Sequence, residues 1–392
     1  MAAPTVACVF GTRPEAIKMA PVVKALQRET GLRARVVVTA QHRQMLDQVL
    51  ETFRIEPDAD LDVMVAHQTL SGLTARLFEA LGAELRAHRP DAVLVHGDTT
   101  STMVGALAAF YERIPVGHVE AGLRTRDIFQ PFPEEVNRGV VAKVARWNFA
   151  PTELSRRNLR DEAVDDARIV VTGNTIVDAL GLASARLAEL GDDECVRRVL
   201  AETPGQEEAA AHFCRAPGRL VLVTGHRREN FGGPLRDALG ALRRVAEANR
   251  DARFIYPVHL NPNVQQPVRE ILAGLDNFLL LPPLSYVPFL WLLTRAYCVV
   301  TDSGGIQEEA AVLGKPTLVT RDVTERPEAL EAGTALLVGP DPARLGGALQ
   351  RLLADAAFHA SMARPSGVFG DGHAADRIAE VLRHDLAAAP PA

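Results

Sequence analysis

Residues 92–120 read AVLVHGDTTSTMVGALAAFYERIPVGHVE. The apolar run Ala92–Val95 predicts a strand, the stretch Thr99–Glu112 a helix, and Val116–Val119 a second strand. Strand, helix and strand in so short a span make a βαβ unit. Its crossover leaves the two strands parallel, and consecutive strands tend to be neighbours about 4.8 Å apart. His96, Gly97 and Asp98 follow the first strand and Glu120 follows the second, so both acids belong to the same carboxyl edge. Asp98 alone reads first as a helix N-cap. With Glu120 beside it, the reading becomes a pair of acids on the edge where open α/β sheets bind ligands, which suits acid–base chemistry.

The loop after Glu120 runs through an Ala-Gly turn, Arg124, Arg126 and an aromatic-proline segment to a helix opening at Pro133. A connection this long between regular elements usually carries function. Glu134 and Glu135 fall in the first turn of that helix, where the dipole favours an anion, and Arg138 is spaced to pair with Glu134.

Working outward, Thr5–Phe10 predicts a strand, then Gly11 and a helix to about Gln27. A dinucleotide fold would place GxGxxG here, whereas this turn has one glycine and Arg13, which suggests a phosphate met by a side chain. Further strands are expected at Arg35–Thr39, Trp147–Ala150 and Arg168–Val171, with a helix over Gln68–His88. After an Ala/Glu/Arg-rich connector the alternation restarts, with strands at Leu220–Thr224, Arg253–Pro257, Leu279–Leu281 and Tyr297–Thr301. Residues 302–310, DSGGIQEEA, then combine bare backbone N–H groups, a hydroxyl and a helix N-terminus, an arrangement that suits an anion.

A chain of 392 residues exceeds what one core supports. The expectation is an α/β protein with a Rossmann-like domain over 1–173, a second over 174–370, and a C-terminal helix in 371–392 packing back on the first. A net charge of −6 gives no bulk attraction to nucleic acid or anionic membrane. No apolar run approaches the length of a spanning helix, and Cys8, Cys195, Cys214 and Cys298 show no CxxC spacing. A reduced, cytoplasmic location is expected.

Several motifs, in order, then carry a resemblance over nearly the whole chain: FGTRPEAIK at 10–18, TAQHRQML at 39–46, HGDTTST at 96–102, HVEAGLRT at 118–125, PEEVNR at 133–138, GHRREN at 225–230, TDSGGIQEEA at 301–310 and RDVTERPE at 321–328. The chain resembles the non-hydrolysing bacterial UDP-N-acetylglucosamine 2-epimerases. The resemblance implies a GT-B fold, two Rossmann-like domains facing across a cleft, and reversible epimerisation at carbon 2 to UDP-N-acetylmannosamine with neither metal nor other cofactor. By the same resemblance Asp98, Glu120 and Glu134 would be the catalytic carboxylates and His226 would serve the leaving UDP. Arg13, Lys18, Arg138 and Arg326 would supply cations at the substrate. Ser303, Gly304 and Gly305 would take the diphosphate, Phe289 the uracil and Glu309 the ribose.

Many bacterial members also take a second UDP-N-acetylglucosamine as activator, and Gln41, Gln44, Glu134, Arg227 and His259 match that pattern. His67 stands where arginine is usual; shorter and mostly neutral at pH 7, it lowers the expectation of activation. A homodimer is implied. The competing readings are an epimerase for a related UDP-acetamido sugar or uronic acid, a GT-B glycosyltransferase, and a non-catalytic nucleotide-sugar sensor. Three acids suit an inversion, which needs one group to take the proton and another to return it.

Overall fold

The computed structural model describes residues 3–39, 43–65, 68–225, 227 and 231–387. The first sheet is built from β1 (Thr5–Phe10), β2 (Arg33–Val38), β3 (Ala59–Asp60), β4 (Ala92–His96), β5 (Val116–Val119), β6 (Trp147–Ala150) and β7 (Ile169–Val171). The second comprises β8 (Leu220–Val223), β9 (Arg253–Pro257), β10 (Phe278–Leu281), β11 (Cys298–Thr301), β12 (Thr317–Val319) and β13 (Ala335–Leu337). Their central strands are near-continuous apolar runs because helices cover both faces of a parallel sheet; every residue of β4, for example, is buried.

The strand orders are β3-β2-β1-β4-β5-β6-β7 and β10-β9-β8-β11-β12-β13, and the pairings are parallel. In each sheet the chain works outward from its first strand, then returns to the other side of it. That reversal leaves a crevice beyond the carboxyl ends of β1 and β4 in one sheet and of β8 and β11 in the other, the place where such sheets bind ligands. Register sets Val9 opposite Val95, and His96 opposite Val119. The loops beginning at Gly11, Gly97 and Glu120 therefore leave the first sheet close to one level.

The chain forms two compact units, one reaching Leu182 and resuming at Phe369, the other spanning Ala183–Val368. The division falls within the helix Thr175–Ala201, which is broken at Gly191 by a left-handed φ of 72°. The helix Ala374–Ala387 packs on the helix Arg13–Arg28 through its buried Ala375, Ile378, Ala379 and Leu382. An Arg28–Asp376 ion pair at 2.8 Å and a bond from Trp147 Nε1 to Asp385 at 2.7 Å secure it to the first unit. Among the described residues no helix is long and apolar enough to cross a membrane.

Candidate active site

In the first unit Asp98 is not the helix cap. Thr99 is, its hydroxyl accepting the Thr102 N–H at 3.1 Å before the helix Thr100–Tyr111. The Asp98 carboxylate is engaged by Arg138, whose Nε and Nη2 both donate to Oδ2, at 2.9 and 2.6 Å. Asn137, one residue earlier on the helix Glu134–Val144, donates its side-chain amide to the Asp98 carbonyl at 2.8 Å. Arg138 also bonds Glu135 at 2.8 Å. Glu135 in turn accepts the N–H groups of Thr125 and Arg126, at 3.1 and 2.9 Å, and so ties the long loop to the helix. Asn137, Arg138 and Glu135 lie on the buried face of that helix, and Glu134 is half-buried at its start.

Glu120 follows β5 with a left-handed φ of 63°, a strained conformation for a residue with a side chain. The strain is sustained by its partners. Lys18, buried on the helix Arg13–Arg28, forms an ion pair with Oε2, and Asn174 donates to the same oxygen at 3.2 Å. Two residues on, Gly122 has φ +92°, and a Cβ there would lie 2.3 Å from the Ser155 carbonyl oxygen, so only glycine fits this turn.

His118 and Glu120 alternate around Gly97. His118 Nε2 donates to the Gly97 carbonyl at 2.7 Å, and a Cβ on Gly97 would sit 3.8 Å from Glu120 Oε1. Burial pushes the His118 imidazole down to about 4, so at neutral pH it is uncharged with its proton on Nε2. Asp98 and Glu120 thus stand at adjoining strand ends, each held by a buried cation delivered from a different helix.

In the second unit the helix Gly304–Val312 starts immediately after Ser303, as expected of an anion-binding turn. A Cβ on Gly304 would lie 2.6 Å from the Arg326 guanidinium, so that cation lies against the helix N-terminus. Arg326 is fixed by Glu308 at 2.8 Å and Glu325 at 3.2 Å, and Arg321 pairs with Glu325 at 2.7 Å. All four charges are buried, and the carboxylates balance the cations. Gly305 follows on the same turn, and Glu309 is buried on the same helix. Phe289 is buried in the helix Tyr286–Arg295.

Across the switch point of this sheet, Asp302 accepts the Arg227 N–H at 2.8 Å, and Tyr256 donates its hydroxyl to the Gly225 carbonyl at 3.1 Å. His259 accepts the Asn261 N–H at 3.2 Å through Nδ1. Gln44 lies in the helix Arg43–Phe53. Gln41, His67 and His226 lie outside the described residues. Sequence reasoning passed over Glu15, Asn174, His118 and the carboxylates Glu308 and Glu325 that hold Arg326. Glu15 alone carried a readable signal, the capping-box spacing from Thr12.

The family model described as UDP-N-acetylglucosamine 2-epimerase matches residues 24–383. Proteins of that name from Yersinia pestis and Escherichia coli strain K12 are each 50% identical, over 376 and 377 residues. These alignments span 96% of this chain and 97% and 98% of theirs. Among solved structures, the UDP-GlcNAc 2-epimerase of Neisseria meningitidis bound to UDP-GlcNAc matches with a TM-score of 0.89 at 41% identity, covering 96% of this chain and 99% of that one. The Methanocaldococcus jannaschii UDP-GlcNAc 2-epimerase in complex with UDP-GlcNAc and UDP matches at 0.79 and 30% identity, covering 97% and 99%.

Proposed function

The chain belongs to the UDP-N-acetylglucosamine 2-epimerase family, and on that premise we propose that it inverts carbon 2 of UDP-N-acetylglucosamine by eliminating UDP and adding it back. It is an isomerase of the GT-B fold type, with the two parallel α/β sheets that fold requires.

The observation that carries the mechanism is the placing of Asp98 and Glu120 on adjoining strand ends, each with its own buried cation. The hydrogen on carbon 2 has no neighbouring carbonyl and is not acidic by itself. It becomes removable as the bond from carbon 1 to UDP breaks and positive charge develops on the adjacent carbon. The carboxylates held in place by Arg138 and Lys18, with Glu134 as a third, supply groups to take that proton and to return one from the other face.

Departure of UDP calls for stabilisation of a diphosphate. Ser303, the N–H groups of Gly304 and Gly305 and the Arg326 guanidinium supply it in this reading, with Arg13 and His226 adding to it. Phe289 would pack on the uracil and Glu309 bond the ribose. 2-Acetamidoglucal and UDP form the intermediate pair, and re-addition after proton return from the other face gives UDP-N-acetylmannosamine. A homodimer, a cytoplasmic location and activation by a second UDP-N-acetylglucosamine at Gln41, Gln44, Glu134, Arg227 and His259, blunted by His67, belong to the same proposal.

The test is incubation with UDP-N-acetylglucosamine in deuterium oxide. Solvent deuterium should enter at carbon 2, and traces of 2-acetamidoglucal and UDP should accumulate. Products that all retain the original hydrogen would overturn the elimination.

A further inference from the structure

Gln307 is fully buried on the helix Gly304–Val312, one turn beyond its glycine start. Its side-chain amide joins two different loops. Nε2 donates to the Ser303 carbonyl at 3.3 Å, and Oε1 accepts the Thr324 hydroxyl at 2.8 Å. Chemistry fixes this direction, because a backbone carbonyl can only accept and so must face the amide nitrogen. The Thr324 hydroxyl gives its proton to Oε1, and its oxygen receives the Arg326 N–H at 3.2 Å.

Two separate pieces of the anion turn therefore share one buried amide. Ser303 follows β11; its N–H donates to the Thr301 hydroxyl oxygen at 3.0 Å, and its carbonyl also receives the Gln307 backbone N–H at 3.3 Å. Thr324 and Arg326 lie on the loop after β12. Pairing sets β11 beside β12 but leaves the spacing of the loops beyond them open. Glu308 and Glu325 anchor the Arg326 guanidinium, whereas Thr324 anchors its backbone. A Cβ on Gly304 would lie 2.6 Å from that guanidinium, so a small shift of either loop changes how the cation meets the helix start.

We propose that Gln307 and Thr324 are a pair of positioning residues that fix the spacing between the Ser303–Gly304 turn and Arg326, and so set the affinity of the second unit for a nucleoside diphosphate. They act through Ser303 and Arg326 rather than by touching the ligand. Glutamine suits the task because it is neutral and presents a donor and an acceptor from one buried side chain. Glutamate at this position would turn an oxygen on the Ser303 carbonyl and add a charge next to Glu308. Methionine would fill the space and make neither bond.

The inference rests on the reading of this turn as the UDP site. Calorimetric titration of UDP into wild type, Gln307→Met, Thr324→Val, Thr324→Ser and the Q307M/T324V double variant tests it, at a temperature where circular dichroism shows each chain folded. Q307M and T324V should each weaken UDP by about five- to tenfold, and T324S, which keeps the hydroxyl, should stay within about twofold of wild type. The double variant should bind no more weakly than the weaker single one, because either change breaks the same link. A residue that only supported the fold would lower the melting temperature without this pattern in UDP affinity. Wild-type affinity in Q307M or T324V, no rescue in T324S, or losses that multiply in the double variant would overturn the pair. If Q307M fails to fold, T324V against T324S decides the matter. Weak UDP binding by Ser303→Ala beside unchanged binding by Q307M and T324V would sink the pair and keep the nucleotide reading. Wild-type binding by S303A would sink the nucleotide reading instead; the urea-unfolding cycle over positions 307 and 324 then decides the link, and additive losses there would overturn it too.

Discussion

Both bonds from Arg138 to Asp98 converge on one carboxylate oxygen, Oδ2, which leaves Oδ1 of Asp98 to other partners. A planar guanidinium can hold a carboxylate in this way; a lysine ammonium cannot hold its plane. Arg138→Lys should retain UDP affinity by calorimetry while turnover falls by roughly 10- to 100-fold through misaimed geometry. Arg138→Met should in addition destabilise the protein by about 3 kcal/mol in urea, because Glu135 would stay buried without its cation. Full activity in R138K would show that aim at Asp98 is irrelevant to the reaction.

Glu120 and Ser303 belong to different units and different tasks in the proposed reaction. Glu120→Gln preserves size but removes the anion that Lys18 and Asn174 hold, so turnover should collapse by on the order of 10²-fold or more with UDP affinity unchanged. Ser303→Ala should do the reverse, loosening UDP by about 1 kcal/mol and leaving part of the activity at high substrate. Equal losses of UDP binding in the two variants would undo this division of labour.

Gly304 is helical rather than left-handed, so alanine is tolerated by the backbone there and helix propensity even favours it. The new methyl group would nonetheless displace the Arg326 guanidinium from the helix start. Gly304→Ala is expected to weaken UDP about tenfold, close to 1.4 kcal/mol, and to lower the melting temperature as well, because moving Arg326 also disturbs its buried pairs with Glu308 and Glu325. Unaltered UDP affinity would remove Arg326 from the nucleotide site.

His118 makes stability depend on acid. Its folded value of about 4 lies below the ordinary 6.5, so the unfolded chain binds a proton first as the pH falls. Its stabilising contribution is complete above pH 6.5 and declines through the interval from about 6.5 to about 4, by about 3 kcal/mol in total. His118→Asn should flatten that part of the stability–pH curve measured by urea unfolding. An identical slope in the variant would assign the acid sensitivity to other groups.

The alternation of strands and helices was legible because parallel strands buried on both faces leave plain apolar runs, and β1, β5, β6 and β9 lie at the expected residues. β3, β12 and β13 are two or three residues long, too short to leave a period, and the sequence analysis did not find them. Motif carried the acids Asp98 and Glu120, but what holds them was hidden. Asn174 reaches Glu120 from 54 positions along the chain, and Arg138 reaches Asp98 from 40. Such partners depend on which strands become neighbours, and local spacing does not encode that.

The return of the C-terminal helix to the first unit has a bearing on the order of synthesis. Every residue of the second unit is made between two portions of the first, so on the ribosome the second can reach its native core while the first still lacks the segment that covers Arg13–Arg28. The face of that helix which Ile378 and Leu382 will cover stays open until translation has nearly finished. A nascent chain stalled late in the message would carry a finished second unit and an unfinished first, the latter being the part that chaperones and proteases would find.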